Sequence, residues 1–224
     1  MESWNGEGTL SEIAERPPEA LSHGAAEHKH KDVLGAKMGM WIFLLTELLL
    51  FAGLFLVYAV YRYQHTAGFH RGGMETHTMF GTVNTMILLT SSLTMVLAIG
   101  AIQRGKKWLS VTFLSSTIGF GLAFLIVKGF EWSIEIRKGI YPGSPSLLKK
   151  SNGEILFFGL YYTMTGLHAL HVFAGMIILT FMLVFILRNK ITKDDYVKLE
   201  NAGLYWHLVD IIWIFLFPLF YLIN

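Results

Sequence analysis

Six ionisable residues that could transfer protons or bind a metal lie within long apolar stretches of the sequence. An ionisable side chain at membrane depth costs free energy, so such a residue usually has a polar partner or a function. The pattern indicates buried hydrogen bonds, proton transfer or metal ligation, and each of these requires a different geometry. The six residues are Glu47, Glu131, His168, His171, His207 and Asp210.

Glu47 lies about three helical turns into the first apolar stretch, among Leu44, Leu48 and Phe51. An ionised carboxylate at that depth is costly unless it is paired, so we expect Glu47 to be protonated or hydrogen-bonded to another helix. A proton-carrying role is the alternative. The hydrogen bond is favoured, because a single carboxylate does not make a proton pathway.

His168 and His171 are three residues apart and therefore lie on one helical face. Two histidines at this spacing could ligate a metal. A helical di-metal site would add a glutamate three residues before each histidine, and the residue at that position before His168 is Thr165. Hydrogen bonding between helices is therefore favoured over metal ligation.

The same spacing separates His207 from Asp210, so the aspartate could orient or charge-stabilise the histidine across one turn. We expect a polar patch that docks on another helix of the chain, with a proton relay as the alternative. Lys128 lies one turn before Glu131, which predicts a neutralised pair near the membrane surface. Asn84 is a polar residue of the type that packs between membrane helices.

The elements that position these residues are predicted from composition. Apolar residues make up 53% of the 224-residue chain and charged residues only 15%, which is typical of a membrane protein. Five apolar stretches are each long enough to cross a membrane as a helix. Lipid offers no hydrogen-bond partners to backbone N–H and C=O groups, so each stretch must pair them internally, as a helix does. The sequence thus predicts an all-α, polytopic helix bundle. The stretches cover about 37–61, 80–102, 108–130 with its helix reaching about 135, 156–187 and 203–222.

The distribution of lysine and arginine predicts which side each loop faces. With the N-terminus inside, 11 such residues lie inside and 7 outside, which favours N-in and C-out. Residues 1–35 are predicted to be a polar, mobile N-terminal tail without a signal sequence, and residues 36–224 the transmembrane domain. Residues 23–31 contain three histidines that could bind metal, although a solvated tail is favoured.

Residues and motifs that the sequence lacks exclude several kinds of site and function. The chain contains no cysteine, which excludes disulfides, thiolate zinc sites and iron–sulfur ligation. Only three of the nine histidines lie in apolar stretches, too few to ligate the hemes and copper of a respiratory redox centre. No phosphate-binding glycine loop or zinc-protease motif is present. The residues therefore predict no independent enzyme activity, no metal site and no nucleic-acid binding.

Several motifs resemble the cytochrome c oxidase subunit III family in order and spacing, over about residues 33–222. Residues 165–172 read Thr-Gly-Leu-His-Ala-Leu-His-Val, similar to Thr-Gly-x-His-Gly-x-His-Val of that family. Residues 205–213 read Tyr-Trp-His-Leu-Val-Asp-Ile-Ile-Trp, similar to the family's Tyr-Trp-His-Phe-Val-Asp-Val-Val-Trp. Residues 37–51, Asn84 with the following threonine, and residues 129–132 also match.

The resemblance implies a non-catalytic accessory subunit of a proton-pumping heme–copper terminal oxidase in a bacterial inner membrane. Such subunits support the stability and proton uptake of subunit I in aerobic respiration, and they bind phospholipid in a cleft. Heme and copper are then expected in partner subunits, with subunit I as the main contact and subunit II or a larger supercomplex beyond it. The family's polar positions would be Glu47, Asn84, Glu131, His168, His171, Glu200, His207 and Asp210, and Arg188 would contact lipid.

Two departures from the family pattern leave alternatives open. Full-length members have seven helices, so the resemblance implies that the first two are supplied from elsewhere. Quinol oxidases use a similar five-helix subunit, but their relatives tend to carry aspartate where this chain has Glu47, which favours the cytochrome c type. An independent transporter would be expected to have a helix broken by glycine or proline at mid-membrane. The only intramembrane proline, Pro218, lies close to the C-terminal end, so this alternative has weak support. A metalloenzyme using His168, His171 and His207 lacks carboxylate ligands.

Overall fold

The computed structural model describes the backbone of residues 18–222 and the side chains of residues 34–222. Six α-helices account for most of this range. The predicted tail boundary at residue 35 falls within the first helix, and the side chains of residues 23–31 lie outside the described residues, so the mobility of the tail stays a prediction. The helices are α1 (Pro18–Gln64), α2 (Thr66–Glu75), α3 (Thr78–Gln103), α4 (Lys107–Arg137), α5 (Asn152–Leu187) and α6 (Val197–Phe217).

Five of the helices are long and apolar enough to cross a membrane, and the described residues contain no β-strand, which confirms the predicted all-α fold. The helices are somewhat longer than the apolar stretches, because polar residues continue the helix at the membrane surface. The direction in which the chain crosses the membrane stays a prediction. The five spans are Leu34–Gln64, Thr78–Gln103, Lys107–Arg137, Asn152–Leu187 and Val197–Leu222.

The chain divides into two compact units, Met1–Ile42 and Phe43–Asn224. The described part of the first unit is helical. In the second unit, α3 packs on α4 and α6, α5 packs on α4 and α6, and the short α2 lies against α5. The core between the helices is rich in aromatic residues, of which Trp206, Trp213 and Phe124 are fully buried. This bundle holds most of the ionisable residues predicted to be important.

Local sequence signals determine where α5 begins and how closely α2 approaches it. The carboxylate of Glu154 accepts hydrogen bonds from the backbone N–H and the hydroxyl of Ser151, which caps the start of α5. A Cβ added at Gly68 of α2 would lie 2.6 Å from the Cα of Gly153. The two helices can therefore touch only because both positions lack a side chain.

The first membrane helix is much less buried than the others. In its most apolar window only 11% of residues are buried, against 50% in the last span. Leu44, Phe51 and Tyr58 are its buried side chains within the second unit. From Leu34 to Gln64, most of the helix therefore presents an apolar surface that can contact lipid or another subunit.

Candidate functional site

The Glu47 carboxylate and the His171 imidazole form a pair between α1 and α5. Glu47 Oε2 lies 2.8 Å from His171 Nε2, and His171 Nδ1 lies 2.8 Å from the carbonyl oxygen of Leu167. A carbonyl can only accept, so Nδ1 must carry a proton. The hydrogen bond at Nε2 then needs one further proton, held either by Glu47 or by the imidazole. In both arrangements the pair is electrically neutral and holds one shared proton.

Neighbouring aromatic residues hold the Glu47–His171 pair in place. The ring of Phe51 lies edge-on to His171 at 5.3 Å, and the hydroxyl of Tyr205 donates a 3.2 Å hydrogen bond to the His171 carbonyl. The side chains of Glu47 and His171 are 18% and 14% exposed. The pair thus lies at the edge of the bundle, and the expectation that Glu47 hydrogen-bonds to another helix is confirmed.

His168 has a different environment from His171. Its side chain is fully buried between the rings of Phe124, at 5.5 Å, and Trp213, at 5.1 Å. Neither ring nitrogen has a hydrogen-bond partner among the described residues, so the interhelical hydrogen bond predicted for His168 is wrong. Side chains three residues apart differ in direction by about 60° around the helix, so His171 faces α1 while His168 faces α4 and α6.

On α6, His207 and Asp210 do not form the predicted pair across one turn. His207 Nδ1 lies 2.7 Å from the hydroxyl of Ser92 on α3. Asp210 is buried with its carboxylate beside the same hydroxyl, but without a hydrogen bond of normal geometry. Trp206 Nε1 donates a 3.0 Å hydrogen bond to Ser91. The polar side of α6 therefore docks on α3, as predicted, and it does so through Ser91 and Ser92.

The predicted Lys128–Glu131 pair is present at 3.0 Å and belongs to a larger buried network. Lys128 Nζ also donates to the hydroxyls of Tyr161, at 3.1 Å, and Tyr221, at 2.6 Å. Both tyrosines in turn donate to Oε1 of Glu131, at 2.6 and 2.5 Å. All three donors of the ammonium group are used, which satisfies a charge that would otherwise be costly to bury.

This network has more members than the predicted pair. Lys128 and Glu131 are 2% and 1% exposed, so the pair is buried between the helices, and its depth in the membrane stays a prediction. Tyr161 and Tyr221 supply the polar groups that the buried pair needs. Tyr221 was missed because an aromatic residue near a helix end is usually a membrane-interface anchor.

The remaining predicted positions lie in three separate places. Asn84 on α3 is fully buried, and its amide has no hydrogen-bond partner among the described residues. Glu200 on α6 accepts a 3.4 Å hydrogen bond from Gln103 Nε2. Arg188 is exposed at the C-terminal end of α5. The roles that the family resemblance implies for these residues stay predictions.

The arrangement can hold a proton and join helices, and it offers no evident metal centre. Within residues 34–222, no three His, Cys, Asp or Glu side chains come together as a group that could bind a metal ion. The Glu47–His171 pair is the one place at the bundle edge, among the described residues, where a carboxylate meets an imidazole at hydrogen-bond distance.

Comparison with known proteins identifies the family. The family model described as cytochrome c oxidase subunit III matches residues 18–224. Subunit 3 of the cytochrome bo(3) ubiquinol oxidase of Pseudomonas putida is 32% identical, over 84% of this chain and 85% of that protein. Cytochrome c oxidase subunit 3 of Alkalihalophilus pseudofirmus is 30% identical, over 91% of this chain and 95% of that protein.

In a third relative, a similar sequence is part of a longer protein. The heme–copper oxidase subunit I+III of Aeropyrum pernix is 28% identical over 84% of this chain, which corresponds to 22% of that longer protein. These relatives thus include a subunit of a quinol oxidase, a subunit of a cytochrome c oxidase and a fused heme–copper oxidase subunit. The chain belongs to the cytochrome c oxidase subunit III family and is an accessory, membrane-integral subunit of a heme–copper oxidase.

Proposed function

We propose that the chain supports a proton-pumping oxidase of the cytochrome c type by stabilising subunit I and assisting its proton uptake. The observation that carries this proposal is the neutral Glu47–His171 pair at the edge of the bundle. A pair that holds one exchangeable proton at the bundle edge is neutral at rest, and it can release that proton and take up another, with one negative charge on the pair in between. Its cost to stability is low, because each partner satisfies the other.

The electron donor is proposed from Glu47. The family resemblance associates glutamate at this position with cytochrome c oxidases and aspartate with quinol oxidases. The relatives carry both names, so a quinol oxidase is the second candidate. Oxidation of reduced cytochrome c by membranes containing the assembled complex supports the first candidate, and oxidation of a ubiquinol analogue alone supports the second.

The proposed partners follow from the exposed surface and from the fused relative. A natural fusion named subunit I+III supports direct contact with subunit I. The exposed apolar surface of α1 offers a large area for such a contact. We also propose contact with subunit II or a larger supercomplex, and lipid contact near Arg188. The proposed orientation is N-in, in a bacterial inner membrane. Heme and copper are held by the partner subunits.

Substitution of Glu47 tests the proposed role in proton uptake. Oxidase containing Glu47→Gln should assemble with its partners, yet show a modest loss of turnover and fewer turnovers before inactivation. Glu75→Gln is the matched control, because this carboxylate lies outside the spans and pairs with Lys150 at the membrane surface. Complete failure of assembly, or the same turnover and lifetime as the Glu75 variant, contradicts the proposal.

A further inference from the structure

A histidine, a lysine and a glutamate meet where α3 begins and α4 ends. His77 directly precedes the span Thr78–Gln103, and Lys138 directly follows the span Lys107–Arg137. His77 Nε2 lies 2.8 Å from Lys138 Nζ and 3.7 Å from Oε1 of Glu135. We propose that His77 and Glu135 form a second proton-binding site, in which the imidazole takes up a proton from water and exchanges Lys138 for Glu135 as its hydrogen-bond partner.

The contact between His77 and Lys138 requires a neutral imidazole. An ammonium group can only donate, so Nε2 of His77 accepts the hydrogen bond and the ring proton is on Nδ1. A protonated imidazole has no acceptor, and it carries the same charge as Lys138. Uptake of a proton at Nε2 therefore breaks this hydrogen bond. The new N–H then has Oε1 of Glu135 within reach, and a movement of about 1 Å brings the two atoms to hydrogen-bond distance.

Glu135 has the capacity for one more hydrogen bond. Its side chain is only 3% exposed, and Oε1 accepts a 3.3 Å hydrogen bond from Lys138. Oε2 is buried and has no hydrogen-bond partner among the described residues. A buried carboxylate with an unused oxygen gains stability from a further charged donor. Lys138 can turn to water when the imidazolium takes its place, because its own side chain is 41% exposed.

The other titratable groups near His77 and Glu135 already have partners. Within residues 34–222, no charged side chain other than those of Lys138 and Glu135 lies at ion-pair distance from His77. The ring of Phe80, on the same helix, is uncharged and lies edge-on to the imidazole at 5.9 Å. The remaining groups are the Glu75–Lys150 pair on the side of α2, the Glu131–Lys128 pair one turn earlier on α4, Tyr162 of α5, which donates to the Ile140 carbonyl, and Tyr221 of the last span, which donates to Glu131.

The geometry favours a proton over a metal ion as the ligand. The ammonium group of Lys138 lies 2.8 Å from the imidazole and 3.3 Å from the carboxylate, so it occupies the position that a metal ion between them would need. In the part of the chain that the structure describes, no third metal-binding side chain joins His77 and Glu135. A proton needs only one donor and one acceptor, and both are present.

A proton bound here changes the charge of a larger cluster. Glu131 and Glu135 are one turn apart on α4 and are therefore neighbours on one helical face. Lys128 pairs with Glu131, and Lys138 pairs with Glu135, so two ammonium groups balance two carboxylates. The cluster is neutral while His77 is neutral, and it gains one positive charge when His77 is protonated. Protonation at the end of the spans is thereby coupled to the buried network.

NMR titration of the full-length chain in mild detergent tests the site. The protein carries ¹⁵N-labelled histidine, and the His77 signal is assigned by its loss in His77→Gln. In wild type at high pH, His77 should have its proton on Nδ1. Glu135→Gln removes the acceptor of the imidazolium and should lower the titration midpoint of His77 by about one pH unit. Lys138→Met removes a like charge and should raise it by a similar amount.

His70 is the internal control, because it is an exposed histidine on α2 whose midpoint should be the same in all three proteins. A His77 midpoint that both substitutions leave unchanged or shift in the same direction would overturn the proposal, as would a wild-type His77 with its proton on Nε2 at high pH. Lys138 is exposed, so Lys138→Met tests the site even if Glu135→Gln does not fold. The readout is one imidazole rather than oxidase turnover, so this inference and the proposed function can fail independently.

Discussion

Glu47 and His171, which are 124 residues apart in the chain, lie 2.8 Å from each other across the seam between α1 and α5. Few other polar contacts join α1 to the bundle in the described structure, and one of them is the hydrogen bond from Tyr58 to Leu219. The pair therefore has two roles. It positions a shared proton at the bundle edge, and it attaches a helix whose surface is otherwise mostly exposed.

A double-mutant cycle should detect this coupling. Glu47→Gln and His171→Ala should together lower the free energy of unfolding by less than the sum of the single losses, with a difference of about 0.6–1.7 kcal/mol. Denaturation of the purified chain in mixed micelles gives the three values. Glu47→Gln combined with Tyr162→Phe is the control. Tyr162 lies nine residues, or about 13 Å, from His171 along α5, so this pair should be additive.

Removing the buried ammonium group of Lys128 should be strongly destabilising. Lys128→Met leaves the Glu131 carboxylate charged and buried with only the two tyrosines as partners, and the expected loss is about 3–5 kcal/mol. Lys128→Met with Glu131→Gln should lose less, since no charge stays unpaired. Lys193→Met, at an exposed position, should cost about 1 kcal/mol or less. Equal losses for Lys128 and Lys193 would show that the network contributes little.

A methyl group at Gly68 should separate α2 from α5. Gly68→Ala places a Cβ 2.6 Å from the Gly153 backbone, which cannot move without shifting a helix, and we expect a loss of about 1–3 kcal/mol. Gly53→Ala on α1 has no atom within 4 Å of the added Cβ and should be neutral or gain up to about 1 kcal/mol. Thermal unfolding of both variants makes the comparison. A stable Gly68→Ala protein would contradict the close approach.

His168 should be replaceable by an apolar ring. Its imidazole packs between Phe124 and Trp213 without a hydrogen bond, so His168→Phe should change the free energy of unfolding by less than about 1.5 kcal/mol. His171→Phe should cost more, because it leaves Glu47 without its partner. A severe loss in His168→Phe, with His171→Phe tolerated, would reverse the roles assigned to these two histidines.

The sequence predicts the helices well because the bilayer sets their length. An apolar stretch of about 20 residues has one stable form in lipid, so all five spans could be located without the structure. The Lys128–Glu131 pair was also predictable, since residues three apart on one helix are neighbours. The His207–Asp210 prediction rested on the same spacing. It was wrong because His207 lies at hydrogen-bond distance from Ser92 of α3 instead.

Contacts between helices could not be predicted in this way. Nothing in the spacing along the chain relates Glu47 to His171, or Lys128 to Tyr221, because these pairs depend on which helices become neighbours. The family resemblance marked Glu47 and His171 as important without indicating that they touch. His77 was counted only among the histidines outside the apolar stretches, and its place beside Lys138 and Glu135 becomes visible when the start of α3 and the end of α4 are seen together.

The central claim is that buried polar side chains of this subunit hold protons and join helices within an oxidase, while the redox groups belong to its partners. Affinity purification of the tagged chain in mild detergent, followed by heme spectroscopy and copper analysis before and after the subunits are separated, tests it most directly. We predict that heme and copper copurify with the chain and stay with the partner subunits after separation. Heme or copper bound to the isolated chain, or a chain recovered without any heme-containing partner, would contradict the account.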